Sequence, residues 1–308
     1  MRAAVLDVGS NSIKLLVADS ASDGRLAEVR SQTLEVRISA GIGSDKPRLT
    51  PDGLQRGVVA IATLAGEAKG LDADRLVAVA TSAVRDAENG AEFCEKVKAE
   101  VGLDLRILTG AEEAGLIGRG LTTDPALKGL ANFQVFDLGG GSLECLSFRD
   151  GSVENAVSLP LGCVRLTEMF VSDPSAPLDE PTVRQIADHV RAALTKSGFP
   201  LPVAPNATVV GTGGTLATVR SIVAAKRHVT LDRIGPLIAV QLLKETLAAT
   251  GLIGLAERRR IPGLPPQRAD VFPAALVTLL ALAELGQFRI FQHSLRNLRW
   301  GVASEILA

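Results

Sequence analysis

Cysteine is scarce in this chain of 308 residues, and neither sign of charge dominates. The three cysteines, Cys94, Cys145 and Cys163, are odd in number and show no CxxC spacing. This argues against a disulfide framework, an iron–sulfur cluster and a zinc site, and a reducing, cytoplasmic setting is expected. The formal net charge of −1 provides no general attraction to nucleic acid or to an acidic membrane. A polyanionic ligand would therefore need a local cluster of Lys and Arg.

Long apolar runs are also missing. The most apolar stretch, 271–285, contains Pro273, Thr278 and Glu284 and falls short of a membrane span. Asp7 interrupts the N-terminal apolar run, which is therefore too short for the apolar core of a signal peptide. Hydrophobic residues make up 46% of the chain and charged residues 22%, so we expect a soluble protein with one large or two medium packed domains.

The stretch 133–148 reads FQVFDLGGGSLECLSF, with two apolar runs around three glycines. Three consecutive glycines are costly in a helix but permissive in a turn, so the pattern predicts a β-hairpin. Without Cβ atoms, the backbone N–H groups of such a turn can approach an anion. The flanking Asp137 and Glu144 suit a metal or a water molecule. Together these features suggest a phosphorylated ligand bridged by Mg²⁺.

Strand and helix signals alternate along the first 125 residues. Thr50-Pro51 predicts an N-cap followed by proline at the first helical position. Residues 109–112 (TGAE) form a capping-box pattern that opens a helix containing Glu113. Asp23-Gly24 is typical of a hairpin turn. This alternation predicts an α/β architecture.

The pattern is less regular towards the C-terminus. From Ile238 onward it predicts mostly helix. We expect His189, His228 and His293 to lie in helices or loops far from the glycine turns, so a role in metal binding or nucleophilic catalysis is not expected of them.

Residues 3–18 repeat the pattern of 133–148. The matching pairs are separated by 130 residues: Asp7 with Asp137, Gly9 with Gly139, and Ser12 with Ser142. Two copies of one supersecondary unit suggest two similar domains facing each other, with a ligand in the cleft between them. The copies differ where Lys14 takes the place of Glu144: a cation suits a phosphate oxygen, and a carboxylate suits a metal or an attacking water.

These features resemble the exopolyphosphatase/guanosine pentaphosphate phosphatase family of the actin/Hsp70/sugar-kinase superfamily. The matching pieces follow the family's order and span nearly the whole chain: 7–12 (DVGSNS) with Lys14, 81–85 (TSAVR) with Asn89, 109–114 (TGAEEA), 137–144 (DLGGGSLE), 211–215 (GTGGT), Pro262-Gly263 with 268–270 (RAD), and Leu298-Arg299 with Gly301. The resemblance implies an α/β fold of two actin-like (ribonuclease H-like, ASKHA) domains with an interdomain cleft. Domain I would span 1–125 and be completed by a C-terminal helix, 298–308, and domain II would span 126–297. The end at Ala308 is similar to the short, two-domain form of the family.

The resemblance also implies Mg²⁺-dependent removal of a terminal phosphate from a phosphoanhydride chain by water. Glu113 matches the catalytic base, a role that it could fill if neighbouring carboxylates raise its pKa; the alternative for Glu112 and Glu113 is helix capping. Glu144 matches a second catalytic or metal-proximal carboxylate, and Asp7 and Asp137 match the other metal-holding acids. The phosphate-binding positions implied are Ser10, Asn11, Ser12, Lys14, Arg85, Gly139, Gly140, Gly141, Ser142, Gly213, Gly214, Thr215 and Arg268.

Some positions differ from the family pattern. Gly115 stands where Arg is common, so one cation near the site is missing, and Leu143 replaces a usual Thr. The run Arg258 to Arg260, with Arg268, could guide a long polyanion, although a solvated helix face explains that run nearly as well.

The alternatives concern the substrate and the class of function. Polyphosphate is the first-choice substrate and guanosine pentaphosphate (pppGpp) the second. An ATP-dependent kinase of the same superfamily would need nucleoside and acceptor pockets, and a non-catalytic alarmone-binding regulator would bind without turnover. The oligomeric state stays open, with a homodimer as one alternative.

Overall fold

The computed structural model describes residues 1–21, 25–205 and 207–308. The predicted turn at Asp23-Gly24 lies outside the described residues. The chain folds as two units, one formed by Met1–Gly129 with Arg296–Ala308 and the other by Leu130–Leu295. Each unit contains a mixed β-sheet and several helices, which confirms the predicted α/β class. In the part of the chain that is described, we find no helix with both the length and the apolar character needed to cross a membrane.

The first unit is built on a sheet with strand order β3-β2-β1-β4-β5. Its elements up to residue 129 are β1 (Arg2–Val8), β2 (Ser12–Ser20), β3 (Leu26–Glu35), α1 (Pro51–Gly70), β4 (Arg75–Ala80), α2 (Ser82–Arg85), α3 (Gly90–Val101), β5 (Leu105–Ile107), α4 (Gly110–Thr122) and a 3-10 turn at Pro125–Leu127. β1 is apolar along most of its length because it lies inside the sheet, antiparallel to β2 and parallel to β4. The predicted N-cap of α1 is confirmed, since Thr50 Oγ1 accepts a hydrogen bond from the Gly53 amide at 3.0 Å.

The second unit is built on a sheet with strand order β10-β11-β9-β6-β7-β8. Its elements are β6 (Phe133–Leu138), β7 (Leu143–Arg149), β8 (Ser152–Leu159), α5 (Cys163–Phe170), α6 (Glu180–Ser197), β9 (Thr208–Thr212), α7 (Gly214–Lys226), β10 (Leu237–Ala239), α8 (Val240–Gly251), α9 (Leu255–Arg258), α10 (Phe272–Gly286) and β11 (Ile290–His293), with 3-10 turns at Leu231–Arg233 and Pro266–Arg268. The antiparallel pair β6–β7 repeats the pair β1–β2: Asp137 lies opposite Glu144 as Asp7 lies opposite Lys14. The internal repeat predicted from the sequence is therefore confirmed at the level of strand register.

The last helix, α11 (Leu298–Leu307), belongs to the first unit, where it packs against α4. A Cβ atom on Gly301 would lie 1.9 Å from the carbonyl oxygen of Leu116. Glycine at this position therefore lets the two helix backbones approach each other more closely than any other residue would.

The prediction of mostly helix after Ile238 is confirmed by α8, α9, α10 and α11, but the segment also contains the end of β10 and the whole of β11, which were not predicted. They are only three and four residues long, and the pairing of β11 with β9 is a contact between distant residues that local pattern does not reveal. The prediction that His293 lies far from the glycine turns is wrong. His293 is the last residue of β11 and lies opposite Gly211. Gly211 is the first residue of the second glycine-rich stretch, two positions before Gly213.

His293 is only 5% exposed. Its Nδ1 lies 3.1 Å from Arg220 Nη1, and its Nε2 has no hydrogen-bond partner among the described residues. Burial, reinforced by the positive charge of Arg220, lowers the pKa of His293 to about 3. The imidazole is therefore neutral in the folded protein at neutral pH.

We expect this histidine to make the protein less stable in mild acid. The pKa of an unfolded histidine is about 6.5, so as the pH falls from 6.5 towards 3 the unfolded state binds a proton that the folded state does not accept. The expected loss is about 2 kcal/mol by pH 5. Urea unfolding between pH 7 and 5 should show a shallower pH dependence in His293→Gln than in wild type. His228→Asn, at an exposed site with φ of 53°, should keep the wild-type dependence, and equal slopes in all three proteins would contradict the prediction.

Candidate active site

The register of the second sheet places four oxygen-bearing side chains in one row. Asp137 on β6 lies opposite Glu144 on β7 and next to Thr212 on β9, and Glu144 lies opposite Ser158 on β8. Directly opposed residues on neighbouring strands project from the same face of the sheet. Asp137 is 7% exposed and Glu144 is 2% exposed. Ser158 Oγ donates a hydrogen bond to Glu144 Oε1 at 2.8 Å.

This set of side chains fits a hard cation. Carboxylate oxygens are the protein ligands that Mg²⁺ prefers, and Mg²⁺ is commonly held by one or two carboxylates together with phosphate oxygens of the substrate. Among the described residues, no group of three or more His, Cys, Asp or Glu residues could hold a metal ion. Asp137 and Glu144 therefore fit a Mg²⁺ ion that is shared with a phosphorylated ligand better than one enclosed by protein alone.

The glycine turn after β6 is held from one side by α5. The carbonyl oxygens of residues 139–141 accept hydrogen bonds from Cys163 N (3.0 Å), Val164 N (2.8 Å) and Arg165 Nε (2.9 Å), in that order. In a trans peptide the N–H of the next residue points opposite to the C=O. The amides of residues 140–142 therefore point away from α5, side by side, as in backbone sites that bind anions. The amide of Gly139 differs, because it donates to Ser142 O at 3.0 Å within the turn.

Gly162, the N-cap of α5, lets this helix reach the turn. A Cβ atom at residue 162 would lie 2.3 Å from the carbonyl carbon and oxygen of Gly140 and 2.3 Å from the carbonyl carbon of Gly141. These are backbone atoms, so the turn itself would have to shift to make room.

Replacing Gly162 with alanine should therefore displace the amides of residues 140–142, which lie in the turn predicted to bind phosphate. We expect a loss of about 1–3 kcal/mol in stability, as for other overpacked sites, and at least a tenfold loss of turnover. Urea unfolding and initial-rate measurements test this. Gly235→Ala is the matched control in the same unit, because a Cβ there meets no described atom within 4 Å. A Gly162→Ala protein that behaves like this control would show that the turn tolerates displacement.

A second glycine turn, between β9 and α7, lies beside Asp137. Gly213 has φ of 97°, and a Cβ there would lie 2.8 Å from Asp137 Oδ1. A Cβ on Gly214 would lie 2.4 Å from Arg268 Nη1, which places the guanidinium group of Arg268 against this turn. Thr215 follows at the start of α7, and its buried Oγ1 has no hydrogen-bond partner among the described residues. The second unit thus brings both glycine turns, both of its predicted acids and Arg268 into one neighbourhood.

In the first unit, the structure brings together Arg85 and Glu113. Glu113 is 6% exposed, and its Oε2 accepts a hydrogen bond from Arg85 Nη1 at 2.8 Å. The same Nη1 donates to Leu108 O at 3.0 Å. Neighbouring carboxylates were expected around Glu113 from the sequence, whereas Arg85, which pairs with it, is a cation. The ion pair orients the Glu113 carboxylate, the group that is predicted to act as general base.

The adjacent Glu112 has a structural role. Its carboxylate accepts hydrogen bonds from the Thr109 amide at 2.8 Å and from Arg106 Nη2 at 2.7 Å, so the predicted capping box is confirmed. The hydrogen bond from Arg106, followed by those from the backbone and side chain of Thr109, lowers the pKa of Glu112 to about 2. Helix capping thus accounts for Glu112 and not for Glu113.

The loop between β1 and β2 is buried and connected to α2. Ser10 Oγ lies 3.3 Å from Ser82 Oγ, and Asn11 Nδ2 donates to Glu35 while Asn11 Oδ1 accepts from Arg37 Nε at 3.2 Å. Ser10 and Asn11 are site residues predicted from the sequence, whereas Ser82 is not. The sequence carried a signal for Ser82, because it is the first residue of α2, the turn of helix that also carries Arg85.

Lys14 and Asp7 face each other across the β1–β2 pair. Lys14 Nζ lies 3.8 Å from Asp7 Oδ2. The acid of the first repeat is therefore beside a cation, whereas the acid of the second repeat, Asp137, is beside a carboxylate. The role of Asp7 as a metal ligand stays a prediction.

The basic run at 258–260 is not a continuous surface. Arg258 is buried and donates to the carbonyl oxygens of Thr250 (2.7 Å), Ile253 (2.7 Å) and Ala269 (3.1 Å). It therefore holds the chain between α8 and α10, and only Arg259 and Arg260 of the run are exposed.

Comparison with known proteins places this site in a family context. The chain matches the model of the Ppx/GppA phosphatase family over residues 16–308. It is 32% identical over 300 residues to exopolyphosphatase 2 of Mycobacterium tuberculosis, covering 92% of this chain and 90% of the relative. It is 31% identical over 303 residues to exopolyphosphatase 1 of Mycobacterium bovis, covering 92% of this chain and 82% of the relative.

Solved structures agree with this comparison. The Aquifex aeolicus PPX-GPPA enzyme matches with a TM-score of 0.77 and 28% identity, covering 99% of each chain. An exopolyphosphatase from Cytophaga hutchinsonii matches with a TM-score of 0.87 and 22% identity, covering 100% of this chain and 98% of the other, and at that identity it shows the fold alone. These matches confirm the actin-like α/β fold expected from the sequence.

Proposed function

The chain belongs to the Ppx/GppA phosphatase family, and we propose that it is a Mg²⁺-dependent exopolyphosphatase that releases orthophosphate from the ends of inorganic polyphosphate. Relatives that align over most of their length carry the name exopolyphosphatase. The single observation that supports this best is the glycine turn of the second unit, which directs its carbonyl oxygens to residues 163–165 and joins the strands that carry the opposed Asp137 and Glu144. An anion-binding turn beside paired carboxylates suits a phosphate group that carries a divalent cation.

Each unit has its own task in this proposal. In the first unit, Glu113 accepts a proton from water as the water oxygen bonds to the terminal phosphorus. The bond from that phosphorus to the bridging oxygen breaks, orthophosphate leaves, and the shortened chain keeps the bridging oxygen. Arg85, anchored on Leu108 O and paired with Glu113 at 2.8 Å, orients the carboxylate before the proton transfer.

The second unit binds the phosphate groups. The amides of residues 140–142 and the guanidinium of Arg268 donate hydrogen bonds to phosphate oxygens, which become more negative as the bridging bond breaks. Asp137 and Glu144 are the residues that would hold Mg²⁺. When bound, the ion would neutralise charge on the phosphate oxygens.

Guanosine pentaphosphate is the second candidate substrate, because it ends in the same kind of phosphoanhydride bond and the family is named for both activities. A cytoplasmic location fits both substrates, and three cysteines without CxxC spacing are typical of a reducing compartment.

Phosphate release by the purified protein tests the proposal. We expect release from polyphosphate without any acceptor, lost on chelation of Mg²⁺ and restored when the ion is added back. Faster release from pppGpp would favour the second substrate. Formation of ADP from ATP with an acceptor would point to a kinase, and tight pppGpp binding without turnover would point to a regulator; either result would overturn the proposed hydrolase.

A further inference from the structure

Ser158 contacts the candidate site through the side chain of Glu144. It lies on β8 directly opposite Glu144, and its Oγ donates to Glu144 Oε1 at 2.8 Å. Glu144 is 2% exposed, so bulk water contributes little to holding its carboxylate. The hydroxyl group of Ser158 therefore fixes the orientation of a buried acid from the strand next to it.

A second bond of the same kind joins the same two strands without touching the site. Asn155 Nδ2 donates to Ser147 Oγ at 2.9 Å, three residues away along β8. Both bonds link β7 to β8 through side chains, but only the bond from Ser158 ends on a residue to which we assign a function. Removing each of these two hydrogen bonds in turn therefore separates the effect of strand pairing from the effect of orienting Glu144.

We propose that Ser158 is a positioning residue that holds the Glu144 carboxylate in its working orientation, an inference that rests on the proposed function. A carboxylate that can rotate between rotamers spends only part of its time in the productive geometry, and fixing it in advance removes that cost from each turnover. Removing the outer partner of a metal-binding group commonly costs 10- to 100-fold in activity or metal affinity.

Three variants test the inference: Ser158→Ala, Ser158→Thr and the control Asn155→Ala. For phosphate release from polyphosphate, we expect Ser158→Ala to lower kcat about tenfold with KM changed less than twofold. Threonine keeps the hydroxyl group and should restore at least half of kcat. Asn155→Ala should leave kcat within twofold of wild type, because the bond that it removes does not end on Glu144.

A second readout needs no turnover. A ligand that binds only the folded state raises Tm, so Mg²⁺ added without substrate should raise the Tm of wild type and of Asn155→Ala by similar amounts. The rise should be smaller in Ser158→Ala, whose Glu144 is no longer oriented.

The outcomes separate this inference from the proposed function. If wild type releases no phosphate from polyphosphate or pppGpp, the proposed function fails, and the Tm response to Mg²⁺ alone decides whether Ser158 acts on Glu144. If wild type is active but Ser158→Ala keeps both kcat and the Tm response, the inference is wrong. It is also wrong if Asn155→Ala loses as much kcat as Ser158→Ala, or if Ser158→Thr is as slow as Ser158→Ala.

Discussion

Glutamine in place of Glu113 should slow phosphate release about 10²- to 10⁴-fold, the range typical of a lost general base. Glutamine has the same shape and can still accept the hydrogen bond that Arg85 donates to Oε2, so the fold should persist. It cannot accept a proton from water at neutral pH. Initial rates on polyphosphate and pppGpp at saturating Mg²⁺, together with a thermal unfolding curve, measure both effects.

The neighbouring residue is the matched control. Glu112→Gln changes the same kind of side chain one position away, and a capping box accepts glutamine as well as glutamate. Its carboxylate is occupied by Thr109 and Arg106, so activity should stay within about threefold of wild type, because a capping residue has no part in proton transfer. Equal losses in the two variants would mean that Glu113 acts through the helix, and unchanged activity in Glu113→Gln would remove it from the mechanism.

The second large effect is expected at Glu144. Like charges on two opposed, buried carboxylates are unfavourable until a cation offsets them. Glu144→Gln keeps a side chain that can accept from Ser158 but removes one of the two charges in the Asp137–Glu144 pair. We expect the Mg²⁺ concentration for half-maximal activity to rise at least tenfold, and turnover at saturating Mg²⁺ to fall about 10²-fold.

A measurement without substrate checks the same point. The Mg²⁺-induced rise in Tm should be clear in wild type and much reduced in Glu144→Gln. Glu154→Gln is the control on the neighbouring strand, where Glu154 Oε1 pairs with Arg149 Nε at 2.7 Å. It should behave like wild type. An unchanged Mg²⁺ dependence in Glu144→Gln would show that this carboxylate does not hold the ion.

Local sequence was sufficient to predict those elements whose stabilising residues lie within a few positions of one another. The capping box needs only Thr109 and Glu112, and it forms as the pattern predicts. The hairpin at 133–148 needs two apolar runs and a glycine turn, and its register places Asp137 opposite Glu144. The repeat at 3–18 could be read because the same short pattern returns with the same spacing.

Contacts between distant residues were not predictable in this way. β10 and β11 are too short to show a strand period, and β11 forms against β9 across some 80 residues of chain. Arg258 resembles its exposed neighbours in sequence, yet three carbonyl oxygens enclose it. The pairing of Arg85 with Glu113 also joins residues on separate helices.

The hairpin at 133–148 shows where the boundary lies. Local sequence is enough to place three glycines, an aspartate and a glutamate in one hairpin, because strand and turn preferences act over a few residues. The direction in which the turn faces depends on tertiary packing. Residues 163–165 donate hydrogen bonds to the carbonyl oxygens of the turn, and they can come this close because Gly162 has no Cβ. Ser158 donates a hydrogen bond to Glu144 and orients it. These partners come from a later strand and helix, and their positions follow from packing rather than from local pattern.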